Sequence, residues 1–229
     1  MNDIVLPQAS LFLGIIPALI LLYISLKGYE VHYKDKNIFL TFVIGIVFGF
    51  FAAIARIYTV PLVIIYIISI AIFEQLFKTI ILNLRRLQEK KETTIYGLSL
   101  GLGFGAIFTP FLLISVGSST ISNLHIFLLI IIGSFGFILF HAASGAYIGY
   151  GIFAGKLTKF LALAIIVQLP FNIISDLTRL YFTTNYFAYL QVGLVLYGLI
   201  FFWYVVKKIM PRILSQSQRR KRRKKTEQT

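Results

Sequence analysis

IFLTFVIGIVFGFFAAIA, residues 38–55, is an eighteen-residue run without a single ionisable side chain, set between Lys36 and Arg56. A stretch of this length and polarity is a candidate membrane-spanning helix, because ~20 apolar residues at 1.5 Å each cross a hydrocarbon layer of about 30 Å. Working outward in both directions, similar runs bounded by basic or turn residues cover about 7–27, 38–58, 59–83, 96–117, 121–154, 157–181 and 185–206. We therefore expect an all-α, polytopic bundle of about seven transmembrane helices. The stretch 121–154 exceeds one span, and we expect a single long helix there, tilted or broken at a glycine.

Composition agrees. The 229 residues are 58% hydrophobic and 13% charged, with mean hydropathy +0.86, against roughly 45–50% apolar in an ordinary soluble domain. Seven spans leave little chain for an extramembrane domain, so residues 1–208 read as one transmembrane domain and 209–229 as a basic, disordered tail. There is no cysteine, which excludes disulfides, thiolate metal sites and thiol nucleophiles. No Lys or Arg precedes the first run, which reads as a retained span rather than a signal peptide.

The cations set an orientation. Lys27, Lys34 and Lys36, then Arg85, Arg86, Lys90 and Lys91, then Lys156 and Lys159, then Lys207 and Lys208 fall in alternate connections, while the intervening ones carry only Arg56 and Arg179 at their edges. By the positive-inside rule the N-terminus is expected outside and the C-terminus in the cytoplasm, in the cell membrane. The tail contains Arg219, Arg220, Lys221, Arg222, Arg223, Lys224 and Lys225 in succession. Such a run suits anionic lipid headgroups at about 1 kcal/mol per cation. It also suits an acidic partner, nucleic acid or the ribosome, but no aromatic residue interleaves it for base stacking.

Polar residues inside spans are costly and mark candidate sites. Glu74, Gln75 and Lys78 lie in the third run, with Glu74 and Lys78 four apart on one helix face; they form either an ion pair or a ligand contact. His141 and Ser144 lie in the fifth run, and Gln168, Asn172 and Asp176 form a stripe at spacing four in the sixth. Helix rise places Glu74, His141 and Gln168 at similar depth, so they are expected to converge on one pocket. Asp176 has Arg179 as a near partner. Pro110 and Pro170 each remove an amide donor within a span, and Pro170 leaves the carbonyl of Ile166 without its helical partner.

The order Phe73-Glu74-Gln75-Leu76-Phe77-Lys78, then Tyr96-Gly97 with Gly101, Gly103, Phe104 and Gly105, then His141 with Gly145, Gly149 and Tyr150, then Gln168 and Asn172 resembles the PrsW family of intramembrane metalloproteases. YhfC-type relatives are similar, and the wider superfamily includes CAAX-prenyl endopeptidases and the non-proteolytic Aph subunit of γ-secretase. The resemblance covers about residues 70–176. It implies a zinc-dependent endopeptidase whose catalytic and metal-binding residues would include Glu74 and His141, with Gln75, Lys78, Ser144, Gln168 and Asn172 lining the pocket.

Departures from the pattern run against activity. The paired glutamates of the family appear as Glu74-Gln75, its acidic position after Gly-Phe appears as Phe108, and its last histidine as Gln168. A catalytic zinc needs about three protein ligands and an open position, and one histidine with one glutamate falls short unless Asp176, two turns beyond Gln168, supplies a third. The expectation is an impaired enzyme, without cofactor, that scaffolds or binds transmembrane segments of client proteins. The alternatives are an active zinc protease with a non-standard ligand set, and a small ion or solute transporter using Glu74, Lys78, His141 and Asp176.

Overall fold

The computed structural model describes residues 5–87, 90–116, 123–182 and 184–214. Among them there are eight α-helices and no strand: α1 (Val5–Leu26), α2 (Asp35–Ile57), α3 (Ile64–Leu82), α4 (Glu92–Ala106), α5 (Phe108–Val116), α6 (Leu124–Phe153), α7 (Leu157–Leu180) and α8 (Tyr186–Tyr204). Six stretches are long and apolar enough to cross a membrane: α2, α3, α4 continued into α5, α6, α7, and α8 continued to Ile213. The first helix adds a shorter apolar stretch, Ser10–Leu26. The chain is thus a multi-pass membrane protein, and with α1 its apolar helices match the expected seven.

The bundle is built around α4, in which every residue from Thr93 to Ala106 is buried. Glycine makes this central position available. A Cβ at Gly97 would stand 2.2 Å from the Gly145 carbonyl oxygen and one at Gly145 would stand 2.1 Å from that of Gly97, so α4 and α6 approach backbone to backbone. On the opposite side a Cβ at Gly103 would fall 2.0 Å from the carbonyl oxygen of Phe42 on α2. Apolar side chains alone give no preference for one neighbour over lipid, and close backbone approach with dense contacts is what holds such helices together.

Pro110 explains why the fourth span is two helices. It has no amide hydrogen for the Ala106 carbonyl, and its ring crowds that turn; α4 ends at Ala106, and α5 restarts at Phe108. Pro170 leaves α7 continuous, and the Tyr197 hydroxyl of α8 donates 2.7 Å to the Val167 carbonyl near the proline. The long stretch 121–154 holds one uninterrupted helix, α6, of 30 residues. It is not broken at its glycines, which serve contacts with α4, α7 and α8. Asn123 caps its start by accepting from the amides of His125 at 3.0 Å and Ile126 at 3.4 Å.

The α2–α3 turn is pinned to α7. Leu62 adopts a left-handed conformation (φ 61°), and its amide donates to Asp176 Oδ2 at 3.0 Å. Arg179 donates to the Thr59 carbonyl at 3.0 Å and lies 3.7 Å from Asp176, so the expected Asp176–Arg179 pair is present and also clamps this turn. At the other end, Val205, Ile209, Met210, Ile213 and Leu214 are buried. The basic run Arg219–Lys225 lies outside the described residues.

Gly101 is the sharpest packing constraint near the polar core, because its Cβ would stand 2.0 Å from the His141 carbonyl oxygen. Gly101→Val is expected to destabilise the protein by about 3 kcal/mol or more through forced helix separation. Gly193→Ala, whose nearest neighbour is 3.9 Å away, is expected to be close to neutral. Thermal unfolding in detergent compares the two.

Candidate functional site

Between α3, α6 and α7 the sequence-selected side chains meet. Glu74, Gln75, Lys78, His141, Ser144, Gln168 and Asn172 are all buried and lie in one hydrogen-bonded network. The helical spacing of four brings Glu74 and Lys78 to one face of α3, and that of Gln168 and Asn172 brings both to the facing side of α7.

The donors and acceptors run in one sense. Lys78 Nζ donates to Gln75 Oε1 at 3.4 Å and to Ser144 Oγ at 2.8 Å. Gln75 Nε2 donates to Gln168 Oε1, and Gln168 Nε2 donates to Glu74 Oε2. The amides thus bridge a cation to a carboxylate, each dipole aligned with the next. Lys78 Nζ also lies 2.9 Å from His141 Nδ1. Ser144 Oγ donates back to the His141 carbonyl at 3.1 Å, so Gln75, Ser144 and His141 offer three acceptors, matching the three N–H groups of an ammonium. With Nδ1 accepting, the neutral imidazole carries its proton on Nε2. That atom is buried without a hydrogen-bond partner, 3.8 Å from Glu74 Oε2.

Sequence reading left Glu74 and Lys78 as either an ion pair or a ligand contact. The structure gives Glu74 to Arg56 instead: Arg56 Nε donates to Oε1 at 3.0 Å and Nη2 to Oε2 at 3.4 Å. Arg56 Nη2 also donates to Asn172 Oδ1 at 2.7 Å, and Asn172 Nδ2 donates to the Ile67 carbonyl at 3.1 Å. Arg56, placed from the sequence at the membrane edge, therefore turns inward at the end of α2 and joins the site. The available signal was that Arg56 is the one Lys or Arg between Lys36 and Lys78, where a buried carboxylate needs a cation.

Aromatic rings close the network. His141 stacks on Phe108 (centroids 5.4 Å apart, 16° between planes) and lies 4.6 Å from the Phe104 ring. The Arg56 guanidinium carbon sits 5.6 and 5.7 Å from the centroids of Phe108 and Phe137, and Lys78 Nζ sits 4.8 Å from that of Phe104. These cations over ring faces are attracted by the aromatic quadrupole.

The residues do not fit a catalytic zinc. Glu74 and His141 are the only imidazole or carboxylate donors in the network, and among the described residues no group of three or more His, Cys, Asp or Glu could hold a metal. Both are flanked by cations: Arg56 holds the carboxylate, and Lys78 faces one imidazole nitrogen. Asp176 is committed to Leu62 and Arg179. Phe108, standing where the resemblance expects an acidic residue, offers a ring and no ligand atom.

No family model, curated protein or solved structure matches this chain.

Beside the network lies a cavity of about 430 Å³, walled by the ends of α2 and α7, by α5, and by the first halves of α6 and α8. Its lining is mainly aromatic and aliphatic, with Arg56, Ser175, Arg179 and Gln191 among the polar exceptions. Arg56 is shared: it binds Glu74 on one side and borders the cavity on the other.

Removing one partner of a buried ion pair strands the other. Glu74→Ala is expected to cost about 3–5 kcal/mol. The double variant Arg56→Met/Glu74→Gln, which removes both charges and nearly keeps shape, is expected to recover much of that loss. A double-mutant cycle on thermal unfolding in detergent measures the coupling.

Proposed function

We propose that this protein is a non-hydrolytic receptor for membrane-embedded chains, with the body plan of a PrsW-type protease and a site no longer suited to peptide hydrolysis. The observation that carries this reading is Arg56, which occupies Glu74 and stands between the polar network and the adjacent cavity. Hydrolysis needs a water held against a base or a metal. Here both candidate groups are spent on fixed cations and amides, and the rings of Phe104 and Phe108 cover His141.

The cavity is the more accessible feature. The sequence suggested that Glu74, Gln75, His141, Gln168 and Asn172 would line a binding pocket, but these side chains are buried and mostly satisfied by one another and by Arg56. A transmembrane segment of a client would instead place a turn's worth of side chains in the cavity. The cavity of about 430 Å³ has room for side chains of such a segment. The binding is driven by packing, since lipid is as apolar as the client.

The topology proposed with this reading has the N-terminus outside the cell membrane and the C-terminus inside. It rests on the concentration of basic residues at the α1–α2, α3–α4 and α6–α7 connections and after α8. The tail is proposed to rest on anionic headgroups at that surface.

Three measurements test the proposal. Protein purified without chelator and with zinc supplied is expected to retain no more zinc than its Glu74→Ala/His141→Ala variant; near-stoichiometric zinc lost in the variant would restore the protease. A labelled hydrophobic transmembrane peptide is expected to bind the protein in nanodiscs, and Leu112→Trp in the cavity wall to weaken it while Phe39→Trp on the outer surface does not; equal effects would remove the receptor reading. Because the chain lacks cysteine, Asn185→Cys is expected to react with an impermeant thiol reagent in intact cells, and Lys208→Cys only after permeabilisation.

A further inference from the structure

We propose that the cavity selects transmembrane segments that carry a carboxylate side chain, which it seats against Arg56 beside Gln191. This deepens the receptor reading and rests on it.

Charge is the first argument. The network sets the part-buried, permanently charged guanidinium of Arg56 against one carboxylate, Glu74. A second carboxylate placed against the remaining N–H groups of the guanidinium adds charge-assisted hydrogen bonds in apolar surroundings. Arg56 is the cation positioned for this. Its Nε and Nη2 serve Glu74 and Asn172, while Nη1 makes no hydrogen bond to the described residues and the side chain borders the cavity. A guanidinium presents five N–H groups in a planar fork, and the free corner suits a carboxylate oxygen.

The second argument is independent of Arg56. Gln191, on the cavity wall contributed by α8, is only 6% exposed, and its side-chain amide has no hydrogen-bond partner among the described residues. Its Oε1 packs over Gly133, where a Cβ would come within 1.4 Å of it. The residue is largely buried, but its amide atoms are not among the sealed, unsatisfied polar atoms of the structure and so remain open to the cavity. A polar group entering the cavity would give it a partner. Arg179, which also borders the cavity, adds positive potential but has Asp176 and Thr59 as its own partners.

The rest of the wall is apolar, with Phe108 and Phe137 under the Arg56 guanidinium. The occupant must therefore be apolar along most of its length and acidic at one point. A transmembrane helix with one Glu has that chemistry, and for such a helix the exposed carboxylate in hydrocarbon is itself an incentive to bind.

The test uses the full chain in nanodiscs of neutral lipid and three synthetic leucine-rich transmembrane peptides identical except for one central Glu, Gln or Lys, read by energy transfer to a labelled protein, with oleate as competitor. The Glu peptide is expected to bind best, with the Gln peptide roughly thirtyfold weaker and the Lys peptide weaker still. Gln191→Leu and the charge-free Arg56→Met/Glu74→Gln variant are expected to reduce the preference for Glu over Gln, read as the ratio of the two peptides' affinities, by about tenfold or more. Should the double variant fail to fold, the peptide series and Gln191→Leu still decide the matter. Equal binding of Glu and Gln peptides overturns the carboxylate preference but leaves the receptor reading intact. Failure of all three peptides overturns both, and efficient displacement of the Glu peptide by oleate at low occupancy of the bilayer reassigns the cavity to a free fatty acid.

Discussion

A carboxylate in the middle of an apolar bundle has to be neutralised, and the burial of Glu74 governs much of what surrounds it. Arg56 is drawn inward from the end of α2 to meet it, Gln168 donates to its Oε2, and Asn172 accepts from the same Nη2 of the guanidinium that reaches Glu74. Each of these groups needs its own partner, so the requirement spreads to Gln75 and then to Lys78, His141 and Ser144. The polar network spans helices that are otherwise held by packing. It fixes their register, because an amide that misses its neighbour leaves a buried donor and acceptor unsatisfied.

The packing beneath it comes from the backbone. Helices α4 and α6 approach so closely at Gly97 and Gly145 that neither could bear a side chain, and the same contact sets the height of His141 against Gly101. The site and the fold therefore share residues. The tight glycine seam positions the imidazole, and the rings of Phe104 and Phe108 fill the space between that seam and the cations.

Most of the fold was legible because hydrocarbon imposes a plain rule. Uncharged runs of helix-spanning length gave the helices, including the long α6; Pro110 and Pro170 both read as lost amide donors, but only Pro110 divides its span, into α4 and α5. The membership of the polar network was legible for the same reason: Glu74, Lys78, His141, Gln168 and Asn172 are exceptional at such depth. Their pairing was less so. Spacing of four puts Glu74 and Lys78 on one face, but that face turns about three neighbouring helices, and a side chain from α2 reached the carboxylate first. Arg56 looked like an edge residue because its Cα lies in the last turn of its helix, whereas its function depends on where a long side chain bends. The cavity left no trace in sequence, since it arises from how five segments splay at one end of the bundle.

The position of Arg56 and Glu74 on consecutive helices has a consequence for synthesis. They are separated by 18 residues, whereas Gln168 follows Glu74 by 94. As the chain emerges, the α2–α3 hairpin contains both charges of the pair before α6 and α7 exist. The two helices can enter the bilayer already neutralised by one another, and the amides arrive later at a carboxylate whose charge is already matched. Both members of the ion pair are thus synthesised before the helices that carry the bridging amides.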